Sequence, residues 1–175
     1  MKSTLRFLIC ALCAILVLCT AVSCDNGNWR TDLTSAALND AVTAALPEGA
    51  GRASVSDDYI SPSAWGENYG DYLAKVEDHR ITVSAESDMN VDEWGIFRLK
   101  NAKDAASFKS FVQTYLEGKQ LRMKPLLESY NQAELPKLDC AKVTVCGSYV
   151  FYTILNAEDT AAAHKAFEDA LRVEE

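Results

Sequence analysis

The feature that most limits how this chain folds is an internal repeat. Asn101-Ala102-Lys103-Asp104 recurs as Asn156-Ala157-Glu158-Asp159, each time directly after a strand-like run and before a helical one. Shifted by 55 positions, the stripe Phe108, Phe111, Val112, Tyr115 and Leu116 falls on Ala163, Ala166, Phe167, Ala170 and Leu171. Residues at i, i+3, i+4, i+7 and i+8 line one side of an α-helix, so each unit ends in an amphipathic helix. Ahead of the first, Ile81, Val83 and Ala85 alternate with Thr82, Ser84 and Glu86, and after a break at Ser87 to Asn90 a second strand runs from Trp94 to Leu99. Ahead of the second, Ala141 to Cys146 and Tyr149 to Leu155 flank Gly147-Ser148, a pair suited to a type II′ hairpin turn. Asn in each copy can accept a backbone N–H at the helix start, and Asp three residues on suits the positive end of the helix dipole. Capping accounts for both pairs without a ligand.

Two strand-strand-helix units predict an α+β fold: a mainly antiparallel four-stranded sheet with helices packed on it. An additional N-terminal helix begins near Thr34. Its stripe is Leu38, Ala41, Val42, Ala45 and Leu46, and Pro47 with Gly49 stops it. Gly51 to Gly70 reads as an irregular segment with a short helical turn around Tyr59, Ile60, Trp65 and Tyr69. The long helix from about Ala102 meets Gly118 and Pro125, which weaken or bend its end. The last helix runs from about Ala157 to Val173.

The first residues carry an address rather than a fold. Lys2 and Arg6 precede sixteen uncharged residues, Phe7 to Val22, which end in Ala21-Val22-Ser23-Cys24 and then Asp25. That is a secretory signal pattern, shorter than the roughly 20 apolar residues of a membrane span. A cysteine directly after small residues resembles a bacterial lipobox, in which the cysteine becomes the mature N-terminus and accepts a diacylglyceryl group. Cys24 is therefore the expected lipidation site, with cleavage by an ordinary signal peptidase as the alternative. The expected organisation is a signal at 1–23, a tether at 24–32 and one α+β domain at 33–175. Membrane lipid joined through Cys24 is the expected partner, on the outer face of the cell membrane.

Charge narrows the partners further. The chain has 17 Lys plus Arg against 25 Asp plus Glu, and residues 1–23 hold two of the bases and none of the acids, so the mature body carries 15 minus 25, or -10. No window clusters Lys and Arg as phosphate binding requires, which excludes nucleic acid as a partner. Such a body is repelled by anionic headgroups, so lipid rather than net charge must do the anchoring.

Of six cysteines, Cys10, Cys13 and Cys19 leave with the signal, and Cys24 is spoken for. Cys140 and Cys146 sit six apart in what reads as one strand, a separation of roughly 20 Å that no disulfide spans. Both are expected to be mostly buried thiols. No Cys-x-x-Cys or His-x-x-x-His spacing points to a metal, and no cofactor motif occurs.

Catalysis would need a nucleophile beside a base, paired carboxylates, or a metal cluster. His164, with Glu168 at i+4, reads as a solvated helix pair. His79 follows Glu77 and Asp78 and reads as part of a charged connector ahead of a strand. Asp57 with Asp58, and Asp92 with Glu93, could hold a weak cation but read more simply as solvated acidic loops. One surface is more pointed. In the hairpin, Val143, Val145, Val150, Tyr152 and Ile154 share one face, and Thr144, Cys146, Tyr149, Phe151 and Thr153 the other. If all helices cover the first face, Tyr149 and Phe151 form an open aromatic patch and a candidate binding surface. If the first helix or the Gly51 to Gly70 segment covers the second face, they are core.

Asp92-Glu93-Trp94-Gly95-Ile96-Phe97-Arg98-Leu99-Lys100, the helix that follows it to Tyr130, and Gly147-Ser148-Tyr149-Val150 resemble a family of small bacterial envelope lipoproteins, the domain-of-unknown-function family DUF4358. The resemblance covers roughly the last hundred residues, from about Tyr69. Trp94 and Cys146 depart from its usual residues. It implies a secreted, lipid-anchored habit and supplies no catalytic or binding residues. The expectation is a non-catalytic module that binds a protein or small molecule. Two alternatives stand beside it: an enzyme or metal-dependent hydrolase whose residues converge only in three dimensions, with His79 or His164 near Glu93 or Cys140, and a purely structural envelope protein.

Overall fold

The structure is a computed structural model that describes residues 27–47, 52–55, 60–84 and 89–173. The signal, Cys24, and the Asp57-Asp58 pair lie outside the described residues. Five strands, β1 (Arg52–Val55), β2 (Val76–Ser84), β3 (Glu93–Leu99), β4 (Lys142–Cys146) and β5 (Tyr149–Ile154), form one sheet in the order β1-β2-β3-β5-β4. Every neighbouring pair is antiparallel. The four expected strands are all present, and β1 adds a short edge strand from the stretch that reads as irregular in the sequence. The same stretch supplies the short helix α2 (Pro62–Trp65), in place of the expected helical turn, and a second short helix, α3 (Tyr69–Leu73), begins at its end. Gly147 turns the β4-β5 hairpin with φ 58. A positive φ at the first turn position is where Gly costs least and is what a type II′ turn requires.

The remaining helices are α1 (Ser35–Ala45), α4 (Ala105–Tyr130), α5 (Leu135–Asp139) and α6 (Ala157–Leu171). Thr34 caps α1 by accepting from the Ala37 amide, and Asp78 of β2 accepts from the Ser35 amide at 3.1 Å as well as from its hydroxyl. Both repeated asparagines are caps. Asn156 accepts from the Asp159 amide at 2.9 Å, and Asn101 accepts from Lys103 at 3.2 Å at the head of a 3₁₀ turn that leads into α4.

The two repeated helices lie on opposite faces of the sheet. α4 sets Phe108, Phe111, Val112 and Tyr115 against Ile81, Phe97, Val150 and Tyr152. α6 sets Ala163, Phe167 and Leu171 on the other face, where with Leu38 and Val42 of α1 they cover Trp94, Ile96, Tyr149 and Phe151. α4 is one helix of 26 residues, about 39 Å long, and it runs through both Gly118 and Pro125. The expected weakening at those positions does not end it. Leu127, two residues past the proline, is fully buried with Val91, Leu138 and Ile154, and that packing outweighs the local propensity. Pro125 has no N–H for the Leu121 carbonyl, and Leu121 lies on the solvent side.

Arg30 N–H donates to the Leu171 carbonyl at 2.8 Å, Val173 N–H to the Asn28 carbonyl at 3.3 Å, and Trp29 pairs with Arg172 across an isolated antiparallel bridge. From Asn28 onward the leading segment is therefore docked beside the C-terminal end of α6.

Gly95 has a specific steric duty. A Cβ there would lie 2.3 Å from a ring carbon of Tyr152, which crosses the strand at that point. Gly95→Ala is expected to cost about 2 kcal/mol in urea unfolding, since the ring is packed and cannot withdraw. Gly70→Ala, with nothing within 4 Å of the added carbon, should be neutral or stabilising.

Candidate functional site

The densest polar constellation lies where β3 enters the core. Glu93 is fully buried and accepts from the Tyr115 hydroxyl of α4 at 2.6 Å, the Tyr152 hydroxyl of β5 at 2.5 Å, and the Lys119 ammonium. Each partner follows from local structure. Gly95 leaves room for the Tyr152 ring, which places its hydroxyl beside Glu93. Tyr115 and Lys119 are i, i+4 neighbours on the inner side of α4. Trp65 of α2 stacks on Tyr115 with centroids 3.8 Å apart and meets Tyr152 edge-on at 5.9 Å, so aromatic rings wall the carboxylate in. A buried carboxylate is stable only when paired and hydrogen-bonded, and this one is both.

A second node stands next to it. Lys137 of α5 lies 2.7 Å from Asp92 and 2.7 Å from Glu134, and Glu134 also accepts from the Val91 amide at 3.0 Å. Burial pulls the Lys137 pKa down, but the bonds to both carboxylates outweigh it and hold the ammonium above its ordinary value. Asp92 and Glu93 are thus not a solvated acidic loop. Each is bound to a lysine from a helix that follows in sequence.

The histidines correct two further expectations. His164 is buried rather than solvated: its ring lies between the hydroxyls of Thr144 at 2.8 Å and Thr153 at 3.1 Å, with the Phe151 ring 4.6 Å away. Burial, with a smaller contribution from Lys142, pushes its pKa down to about 3. A neutral imidazole offers one donor and one acceptor, and two hydroxyls satisfy both. His79 lies inside β2 rather than in a connector ahead of it, and stacks on Phe97 at 5.8 Å. It borders an open cavity of about 420 Å³ with Leu73, Val76, Glu77 and Asp78.

Neither histidine comes to Glu93. His164 is on the α6 face and Glu93 on the α4 face, so the sheet separates them. His79 pairs with Phe97 while Glu93 pairs with Val83, four residues along the ladder, about 13 Å. Cys140 closes α5 rather than sharing a strand with Cys146, and the two remain thiols. Only Cys146 is buried; Cys140 is partly exposed. Among the described residues no group of three His, Cys, Asp or Glu side chains is placed to hold a metal ion, and no helix is long and apolar enough to cross a membrane.

Tyr149 and Phe151 are not an open patch. Both are at 0% exposure, because α1 and α6 close that face of the sheet. The Tyr149 hydroxyl donates to the Leu33 carbonyl at 2.7 Å, and burial raises its pKa. The covered alternative is the one the chain adopts. Sequence reasoning missed Asn39, whose buried amide oxygen accepts from Trp94 Nε1 at 2.9 Å and from Thr82 at 2.9 Å. That bond is how this chain accommodates Trp94. Two signals could have pointed to the Glu93 node: a glycine inside a strand, which marks close approach, and the Tyr115, Lys119 spacing.

These features define a small α+β domain whose sheet is covered on both faces and whose buried Glu93, Asn39 and His164 are each hydrogen-bonded within the core. Residues 63–155, more than half of the chain, match the family model described as Domain of unknown function (DUF4358), and the chain belongs to that family. No curated protein and no solved structure matches it. The match starts inside α2 and stops just after β5, so α1 and α6, which cover the second face, lie outside it.

Two outcomes are expected from these nodes. Glu93→Ala strands two buried hydroxyls and Lys119, and Lys119→Met leaves a buried carboxylate without its countercharge, so each should cost about 3 kcal/mol or more in denaturant unfolding. For His164 the folded pKa is below the unfolded value of 6.5, so its contribution is complete above pH 6.5 and is lost as pH falls toward 3. The slope approaches about 1.4 kcal/mol per pH unit in that window. His164→Gln should remove that part of the slope in acid titrations of stability.

Proposed function

We propose that this protein is a secreted, lipid-anchored module of the bacterial cell envelope that works by binding rather than by catalysis. The observation that carries the reading is the N-terminal sequence: a basic start, the uncharged run Phe7 to Val22, and Ala21-Val22-Ser23 directly before Cys24. Several lipid chains at one terminus hold a protein stably, since each buried CH₂ contributes about 0.8 kcal/mol and one chain alone is marginal. The docking of Asn28 and Arg30 beside α6 supports it, because it ties the folded body to the chain four residues after the modified cysteine. Binding rather than catalysis is supported by how the buried titratable groups are used. Glu93 is engaged by Tyr115, Tyr152 and Lys119, and His164 lies between two threonines. With Tyr149 and Phe151 in the core, a binding surface belongs on the outside of the helices or at the sheet edges.

The test is intact mass and membrane fractionation of the chain made with its own signal, beside Cys24→Ala. The expected result is a lipid-sized mass increase on a peptide that starts at Cys24, lost together with membrane association in the variant. An unmodified product in the soluble fraction, cut elsewhere, sinks the reading.

A further inference from the structure

We propose that the end of the domain bearing Lys75, Lys100 and Lys103 lies against an anionic lipid surface. This rests on anchoring at Cys24 and adds an orientation to it. The first argument is reach. Asn28 is bonded to the body, and the four links back to Cys24 span at most about 14 Å fully extended, so whichever end holds Asn28 must sit at the membrane. The second is adjacency. Trp29 packs on the hairpin turn, 3.4 Å from where a Gly147 Cβ would stand, and Ser148 in that turn accepts from the Leu99 amide at 2.8 Å. Lys100 follows at once, its amide donating to the Lys75 carbonyl at 2.9 Å and its ammonium to the Ala74 carbonyl at 2.8 Å. Anchor and lysines therefore share one end of the sheet.

Charge is the third argument. At this end Arg30 is paired with Asp32, and Arg98 with Glu77. Lys75 lies 3.7 Å from Asp104 and over the Tyr72 ring, 5.1 Å from its centroid, and Lys100 and Lys103 are exposed with no carboxylate partner among the described residues. The opposite end is mixed: Glu128 near the close of α4, Asp139 before β4 and Glu158 at the head of α6 are exposed, and so are Lys124 and Lys142. A body of net charge -10 is pushed off an anionic surface as a whole, yet a tether that holds this end at the surface leaves Lys100 and Lys103 as the cations without a carboxylate partner that face it. Orientation depends on how the charge is distributed, not on its sum.

The test uses the full chain, made with its own signal, extracted in detergent and reconstituted into vesicles. One set is phosphatidylcholine with about one-third phosphatidylglycerol, the other phosphatidylcholine alone. Lysines are labelled with an amine reagent and read by mass spectrometry. On the anionic vesicles Lys100 and Lys103 are expected to react several-fold more slowly than in detergent, Lys124 and Lys165 at an unchanged rate, and high salt should erase the difference. Equal rates on vesicles and in detergent overturn the proposal, as does equal protection on neutral lipid. Protection seen only on intact cells overturns it too, in favour of a protein partner. A second measurement does not depend on labelling: headgroup spin-labelled lipid in the anionic vesicles should quench Trp29, the other two tryptophans being buried. The double variant Lys100→Gln, Lys103→Gln should lose part of that quenching while keeping its lipid mass and its flotation with vesicles. A chain whose mass shows no lipid and which fails to float removes the anchoring reading itself, and the mass spectrum tells the two failures apart.

Discussion

β5 is buried at every position, from Tyr149 to Ile154, and the rest of the fold follows from that constraint. A strand points successive side chains to opposite faces, so a strand with no exposed residue needs cover on both sides. α4 supplies one cover and α1 with α6 the other. The sheet order places β5 between β3 and β4, and β3 is nearly as buried, so the centre of the sheet is sealed in every direction. Polar groups caught in such a place must bind one another, and Glu93, Asn39 and His164 do so through tyrosine, lysine, tryptophan and threonine partners.

Much of this was legible in the chain. The alternation in the β4-β5 hairpin separated its two faces correctly, and the repeated Asn-Ala-x-Asp placed both caps. What the repeat could not say is which face each helix covers, because an apolar stripe shows that a helix has a buried side but not where its partner sits. The two copies match in sequence and end on opposite faces. The buried polar bonds were illegible for a related reason: Asn39 meets Trp94 across 55 positions and Glu93 meets Tyr152 across 59, with no local pattern to announce either. His164 was misread because a polar residue beside an apolar stripe looks solvated until a second layer covers it.

The family match has a physical consequence. Residues 63–155 contain the α4 face and the Glu93 node but neither α1 nor α6. Taken alone, that segment would leave Trp94, Ile96, Tyr149 and Phe151 uncovered, an apolar area too large to leave in water. In this chain the matched segment and its flanks form one cooperative core, and the N-terminal flank also joins that core to the proposed anchor.

Both faces of the sheet are sealed in the native state, which leaves the outside of the helices and the sheet edges for the proposed binding. Native-state hydrogen exchange of the β3 and β5 amides tests that seal most directly. The account expects Ile96 and Phe151, paired across the centre, to exchange only through global unfolding, with an opening free energy equal to that from denaturant. Exchange of these amides through a much cheaper opening, at conditions where α4 stays protected, would contradict it. It would mean that α1 and α6 lift away and that Tyr149 and Phe151 are reachable after all.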